Sequence, residues 1–247
     1  LGLVPIGPDP SSGLWEFAHL ATGEPERRGA DGKLLIAPEM GLVLVLLPGG
    51  RVPVAASDDD DQDVELTRID LDPFFLSKYE MTQEQWDRIG GWRRGDFGSA
   101  SALLPASDMS WDDGKVALPR TGWLRLPSEA QWEYACRAET TTPWWTGAEH
   151  ETLRSAANID FGDPDNDLQR IGLLAANPFG LHDVHGNVWE WCGDSHSDGV
   201  PRQEDGLRDE PGAAYRVLRG GVYSNEAKSA RSSFRFGDRP DYRDDAY

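Results

Sequence analysis

Glycine and proline recur along the whole chain and constrain its fold more than any other feature. The 247 residues include 27 glycines and 17 prolines, spread evenly, so segments with helical or strand periodicity are short. Glycine ends regular structure through its backbone freedom, and proline through its fixed φ and missing N–H. The spacing therefore predicts a loop-rich fold with few regular elements.

The charge balance excludes one class of partner. Lys and Arg total 24 against 43 Asp and Glu, a net charge of −19, whereas a nucleic-acid binder needs a basic surface. Ten tryptophans and a 38% hydrophobic fraction indicate a folded core rather than a disordered acidic chain. The contiguous acids Asp58–Asp61 predict an exposed loop; calcium binding there is disfavoured because the acids are not spaced at alternate positions.

The sequence predicts no membrane span and leaves the compartment open. The longest apolar run, Gly41–Pro48, falls well short of the roughly 20 residues that cross a bilayer. No signal peptide is visible, which favours the cytoplasm slightly, although residue 1 is not Met. Two cysteines, Cys136 and Cys192, form neither a disulfide framework nor a C-x-x-C zinc motif.

Local patterns predict two helices and several strands. Thr82 and Ser128 each begin a capping box that ends in Gln, so helices should follow both residues. Cys136 falls on the apolar face of the second helix, where a buried, inert thiol is favoured over a reactive one. Strands are predicted at Leu42–Leu47, Ile69–Leu76 and Tyr215–Leu218.

The densest group of polar and aromatic residues lies at Asn177–Cys192. Asp183 and Glu190, with backbone carbonyls at Gly186 and Val188, could surround a hard cation such as Ca²⁺. The alternative from the residues alone is a Trp-rich turn that packs the core. Zinc is a weaker third interpretation, using His182 and His185 with Asp194 and His196, because no helical pattern places these side chains on one face.

Three ordered motifs resemble the signature blocks of the formylglycine-generating enzyme (sulfatase-modifying factor) family: Arg125–Ala135, Asn177–Trp191, and Arg216–Gly221 with Ala230–Ser232. The resemblance implies an α+β fold of the C-type-lectin-like kind, loop-rich, with few short strands and two main helices. It also implies an N-terminal extension at 1–40 packed on a domain at 41–247, in which 219–247 forms a ligand-binding region.

The resemblance further implies two structural calcium sites. One matches Asp183, Gly186, Val188 and Glu190, the same donors that the chemistry favours. The other matches Asn158 and Ile159, but the acidic partners that normally follow are replaced by Phe161–Leu168, where Asp163 and Asp165 are the alternatives.

The same resemblance argues against catalysis. Family members that make formylglycine hold Cu(I) with two cysteines five residues apart, and soft Cu(I) selects thiolate. The matching positions here are Asn225 and Ala230, so no copper is expected. Related members that join thiols use histidine-bound iron from an N-terminal domain, but the first 40 residues contain only His19. Whether the chain is an enzyme stays open, with the balance toward no.

A third branch of the family consists of binding modules, including variable proteins diversified by retroelements. The C-terminal region fits that layout because scaffold-like residues alternate with side chains that make adaptable contacts. Glu226 and Lys228 fit less well, and an ordinary polar loop surface is the alternative. The predicted ligand-binding residues are Tyr223, Ser224, Asn225, Phe234, Phe236, Asp238, Tyr242, Asp244, Asp245 and Tyr247.

Together these observations predict a catalytically silent, calcium-stabilised module that binds a protein or other macromolecule through its C-terminal region. The alternative is a formylglycine-generating or related thiol-oxidising enzyme that acts on a sulfatase-type cysteine peptide. The segment Leu3–Gly32 resembles the start of family domains found behind bacterial kinase domains, which suggests fusion to or association with a signalling domain. A third interpretation is an accessory domain of a signalling protein with no ligand of its own.

Overall fold

The computed structural model describes residues 2–55, 66–90, 102–198 and 201–244. The strands are β1 Leu3–Pro8, β2 Trp15–His19, β3 Leu42–Leu47, β4 Gly50–Ala55, β5 Leu66–Leu71, β6 Phe74–Ser77, β7 Glu190–Ser195, β8 Arg216–Arg219 and β9 Phe236–Asp238. The α-helices are α1 Gln83–Arg88, α2 Trp111–Ala117 and α3 Glu129–Arg137. The elements are short and separated by turns, as the glycine and proline spacing predicts. The Asp58–Asp61 run, Asp245 and Tyr247 lie outside the described residues.

The strands form three antiparallel groups. Four strands lie in the order β1-β2-β3-β6, while β4 pairs with β5 and the third sheet has the order β7-β8-β9. The N-terminal hairpin joins the first sheet directly, because β2 pairs with β3 from Glu16 opposite Val45 to His19 opposite Leu42. Residues before position 41 therefore extend a sheet of the main domain.

The strand predictions fare differently. Leu42–Leu47 is confirmed as a buried strand, with Val45 and Leu47 fully buried. A single strand at Ile69–Leu76 is wrong, because β5 ends at Leu71 and β6 begins at Phe74, in a different sheet. Proline at position 73 has no N–H to continue a ladder, which accounts for the break. The strand predicted from Tyr215 is shifted by one residue, to Arg216–Arg219.

Both predicted helices are confirmed, and each begins with its capping box. Thr82 and Ser128 accept the N–H of Gln85 and Gln131, whose side chains return the bond. A third helix, α2, begins at Ser110 with Asp113 as the returning residue. This helix was not predicted, because a capping box usually has Glu or Gln as its fourth residue. Here the shorter Asp113 side chain accepts the N–H of Ser110 at 2.9 Å.

Helix α3 lies at the centre of the core. All nine of its residues are buried, and Cys136 is fully buried among apolar side chains from β3, β4 and β5, which confirms its predicted place on a packed face. Trp132, on the same helix, reaches toward β7 and β8. Among the described residues, no helix combines the length and apolar character needed to cross a bilayer.

Candidate functional site

The loop that precedes β7 has a backbone that depends on one glycine. Gly186 has φ +82°, and a Cβ there would lie 2.0 Å from the carbonyl oxygen of Asn158. Its N–H donates to the oxygen of Gly220 at 2.8 Å, while the N–H of Asn187 donates to the oxygen of Asn158. The loop is thereby held between the Asn158 segment and the start of the C-terminal region.

Three carboxylates converge on this loop. Asp183 is buried and accepts the N–H of Gly172 at 2.7 Å. Glu190 begins β7 and accepts a hydrogen bond from the Trp132 side chain. Glu80, buried and just before α1, accepts the Asn187 amide at 2.6 Å and the N–H of Val188 at 3.2 Å. We call Glu80, Asp183 and Glu190 the unpaired acidic cluster, because within the described chain none of them forms an ion pair.

The pKa values of these groups reflect that environment. Burial raises the pKa of Asp183 to about 6, against the opposing hydrogen bond from Gly172. Burial and then the charge of Asp183 raise the pKa of Glu190 to about 7. Burial, followed by the charges of Asp183 and Glu190, raises the pKa of Glu80 well above its usual value. Removing these groups from water without a counter-charge is unfavourable for their ionised forms.

The donor chemistry of this loop fits a hard cation. Two carboxylates and the carbonyls of Gly186 and Val188 are oxygen donors of the kind that calcium takes. The lack of a basic partner leaves their charge for an ion to neutralise. Across the ranges that the structure describes, no three His, Cys, Asp or Glu side chains form a metal-binding group, so backbone oxygens would have to complete such a site.

The histidines do not assemble into a zinc site. His182 places Nδ1 2.9 Å from the oxygen of Leu174 and stacks on Tyr79. His185 is buried elsewhere, with Nδ1 3.7 Å from Cys136 Sγ, and burial lowers its pKa to about 3. Asp194 is occupied by backbone N–H groups of α3 and the Arg208 segment. The zinc interpretation is wrong because, in the part of the chain that the structure describes, these side chains form no group of three that could hold a metal ion.

The second predicted cation position is filled by an amide. Asn166 Nδ2 donates to the oxygen of Ile159 at 3.0 Å and to the oxygen of Tyr223 at 2.7 Å. The Asn158 amide is engaged as well, donating to Asn187 Oδ1 at 2.9 Å and to a loop carbonyl. An N–H dipole therefore points at the oxygen that the resemblance assigns to calcium.

The two acids that the sequence offers as alternatives for this position face solvent. Asp163 and Asp165 are exposed, and Asp163 accepts the N–H of Asp165 in a local turn. The residues at Asn158 and Ile159 consequently do not fit a cation.

A second group of buried acids lies on α3, and it is fully paired. Glu129 contacts Arg208 and Arg235, each at 2.6 Å, and Glu133 contacts Arg219 at 2.6 Å and Arg137 at 2.8 Å. Burial would raise the pKa of Glu129, but the charges of Arg219, Arg235 and Arg208 hold it below its usual value. We call Glu129, Glu133 and these four arginines the paired cluster.

The thiols do not form a copper pair. Asn225 uses its backbone oxygen to accept the N–H of Asp160, and its side chain accepts the N–H of Val222 at 3.3 Å. Ala230 is fully buried. Both cysteines are buried too; burial raises the pKa of Cys136 to about 12 and that of Cys192 well above its usual value. A buried thiol held protonated is a poor nucleophile and metal ligand.

The C-terminal region brings several predicted binding residues together. Tyr223, Phe234 and Tyr242 pack against one apolar cluster built around Trp189, Trp191, Trp111 and Leu218. Phe236 stacks on Trp189 with ring centroids 5.4 Å apart and is 38% exposed. We call Tyr223, Phe234, Phe236 and Tyr242, with Trp189, the aromatic surface.

The other predicted residues take different positions. Ser224 is exposed, whereas Asp238 and Asp244 are half-buried, and Asp244 accepts a hydrogen bond from the Tyr242 hydroxyl at 3.3 Å. Sequence reasoning missed Trp189 as the aromatic partner of Phe236 and did not include Glu80 among the site residues. Trp189 and Trp191, spaced two residues apart at the start of β7, could have signalled the first, and nothing local signals the second.

The geometry defines the class of protein: a loop-rich α+β domain with a C-type-lectin-like fold. The description "Sulfatase-modifying factor enzyme 1-like domain" matches residues 37–247, and the chain belongs to that family. Solved structures share the fold. Treponema denticola variable protein 1 has a TM-score of 0.69 and 19% identity, and the match covers 83% of this chain and 93% of that chain. PvdO from Pseudomonas aeruginosa has a TM-score of 0.70 and 22% identity, and the match covers 91% of this chain and 95% of that chain.

The curated relatives include protein kinases and formylglycine-generating enzymes. The serine/threonine-protein kinase pkn1 of Chlamydia caviae is 28% identical over 225 residues, covering 80% of this chain and 35% of the kinase. The formylglycine-generating enzyme of Mycobacterium tuberculosis is 36% identical over 126 residues, covering 44% of this chain and 42% of the enzyme. The chain thus spans about a third of the length of the kinase relatives.

Proposed function

We propose that this domain is a catalytically silent binding module that presents the aromatic surface to a protein or other macromolecular ligand. The observation that carries the proposal is the composition of the C-terminal region. Some of its side chains, such as Arg219 and Arg235, are buried against the scaffold, whereas Phe236 and Ser224 are exposed. A rigid scaffold with outward aromatic and small polar side chains suits adaptable recognition at low entropic cost.

The likeness to a variable protein supports this assignment, as does the replacement of the copper cysteines by Asn225 and Ala230. Diversification of the aromatic surface by a retroelement belongs to the same proposal. A reverse transcriptase gene and a template copy of the C-terminal coding region beside the gene would support it, and their absence from that neighbourhood would count against it.

The proposal includes one structural calcium ion. Asp183 and Glu190 would hold it with carbonyl oxygens of Gly186 and Val188, and the ion would supply positive charge to the unpaired acidic cluster. Because that loop is bonded to Gly220 and the Asn158 segment, the ion would also stiffen the base of the C-terminal region. The likeness to kinases supports a place beside a signalling domain in a longer protein.

Binding can be tested by selection from a random peptide library against the purified chain. We expect enriched peptides to lose binding to a Tyr223→Ala/Phe236→Ala variant. They should retain binding to Leu173→Ala, a control that removes a side chain 62% exposed outside the aromatic surface. Peptides that bind both variants equally, or no enrichment at all, would contradict this use of the surface.

The enzymatic alternative has its own assay, motivated by the identity to formylglycine-generating enzymes. The chain is loaded with Cu(I), and oxygen consumption is followed with a sulfatase-type cysteine peptide. We expect no turnover above that of free Cu(I). Turnover that disappears in Cys192→Ala would overturn the binding-module assignment.

A further inference from the structure

A cavity of about 500 Å³ lies beside β6. Five consecutive residues, Pro73–Ser77, line the cavity along the whole of β6, and Leu42 and Leu44 of β3 line it as well. Its volume lies within the range of roughly 300–1,000 Å³ that is usual for ligand pockets. The remaining wall is mainly apolar and includes Trp86, Ala106, Leu118, Trp123, Trp132 and Trp189; Arg125 and Glu190 are among its charged members.

The strand beside this cavity has an open edge. In the described part of the chain, β6 is the last strand of its sheet and pairs only with β3. Lys78 donates its N–H to Val43, so in the alternating antiparallel pattern Phe75 and Ser77 turn their N–H and C=O groups away from β3. An unpaired edge beside an apolar cavity is a template for one more strand.

Two polar groups in the cavity wall, Ser77 and Glu80, are available to an occupant. The Ser77 hydroxyl is buried and has no hydrogen-bond partner among the described residues. Glu80 is buried, lines the cavity and, within the described residues, receives hydrogen bonds only from the neutral donors Asn187 and Val188. It is not among the proposed calcium ligands, so its carboxylate favours a cavity occupant that carries positive charge.

We propose that this groove binds an extended peptide strand from a partner chain, with alternating apolar side chains and one basic residue against Glu80. The main chain of the peptide would pair with Phe75 and Ser77. Because successive side chains of a strand point to opposite faces, every second one would enter the apolar cavity. Trp189 borders both this groove and the aromatic surface, but the proposal does not depend on the function of that surface.

Synthetic peptides with the whole chain test the proposal. The first is a short capped peptide of alternating Val and Thr with one central Arg, the second replaces Arg with Gln, and the third is N-methylated on its pairing amides. We expect the Arg peptide to bind about tenfold more tightly than the Gln peptide. We expect the N-methylated peptide not to bind.

Hydrogen exchange locates the interaction. The Arg peptide should slow exchange of the Phe75 and Ser77 amides while leaving the β1 amides unchanged. Equal binding of the N-methylated peptide, or no protection of Phe75 and Ser77 at millimolar peptide, would overturn the proposal. An apolar dye that binds the cavity but is not displaced by any peptide would also overturn it, in favour of a small-molecule pocket.

Variants separate the two parts of the site. Glu80→Gln should abolish the preference for Arg over Gln while the Gln peptide still binds. Ala106→Trp should fill the cavity and abolish binding of all peptides. Near-ultraviolet circular dichroism reports whether each variant is folded, and the peptide series on the unaltered chain tests the groove even if neither variant folds.

Discussion

Two groups of buried carboxylates lie in the same core but differ in what faces them. In the paired cluster, Glu129 and Glu133 meet four arginines at hydrogen-bond distance. In the unpaired acidic cluster, the described residues that face Asp183, Glu190 and Glu80 are neutral donors and the other acids of the cluster. Glu129 is as buried as these three acids, so the opposite directions of their pKa shifts arise from the presence or absence of positive charge.

The difference indicates what each group does. Two arginines of the paired cluster, Arg219 and Arg235, come from the C-terminal region, so the cluster ties that region to α3 through the protein's own charges. Within the described residues, the unpaired acidic cluster has no basic side chain paired with it. It therefore suits a group that arrives from solution, and a calcium ion matches its oxygen donors.

The largest effect is expected when the paired cluster is broken. Glu129→Ala would leave Arg208 and Arg235 buried without their carboxylate, which should lower the free energy of unfolding by about 3–5 kcal/mol. Urea denaturation measures it. Glu84→Ala is the control, since it removes only an exposed contact to Arg88 and should cost less than about 0.5 kcal/mol. Similar losses in the two variants would contradict the comparison.

The unpaired acidic cluster should make stability depend on pH. Its pKa values are raised in the folded state, so the folded chain binds protons that the unfolded chain has released. In EDTA, stability should therefore fall as the pH rises between about 4 and 7.

Glu190→Gln isolates the contribution of one carboxyl. Across that pH range, the free energy of unfolding of the variant should fall less than that of the unaltered chain, by on the order of 2 kcal/mol. Chemical denaturation at a series of pH values gives the comparison. Identical pH profiles would show that Glu190 does not carry an unpaired charge.

A smaller effect is expected where an amide occupies the second cation position. Asn166→Ala would leave the carbonyls of Ile159 and Tyr223 without their donor, costing about 1–2 kcal/mol. Asp163→Ala, in the same loop but exposed, should change stability by less than about 0.5 kcal/mol. Calcium should not restore the Asn166→Ala loss; restoration would mean that a cation binds there after all.

The smallest effect on stability is expected at the aromatic surface. Phe236→Ala removes a partly exposed ring and should cost less than about 1 kcal/mol, while shifting tryptophan fluorescence because Trp189 loses its stacking partner. Phe179→Ala, in the core, is the contrast and should cost about 3–5 kcal/mol. A large loss at Phe236 would make it a packing residue.

Much of the scaffold could be predicted because its signals are local. Residues within a few positions of one another specify the helices that begin at Thr82 and Ser128 and the strand Leu42–Leu47. The break between β5 and β6 was missed because the apolar pattern continues across it, although the two strands join different sheets.

The candidate site could be predicted only in part. Asp183 and Glu190 were found because they lie in one segment, but Glu80 reaches them from about a hundred residues earlier in the chain. Likewise, nothing near Asn166 signals that its amide occupies an ion's position, since its acceptor Tyr223 is distant in sequence. Such contacts are products of tertiary packing, which a single sequence does not display.

Calcium binding at equilibrium tests the central claim most directly. Dialysis of the metal-free chain against Ca²⁺ at neutral pH should give one bound ion, together with a higher melting temperature. Glu190→Gln should bind none, while Asn166→Ala should still bind one. No bound ion in the unaltered chain, or binding that survives Glu190→Gln, would contradict the distinction between the two clusters.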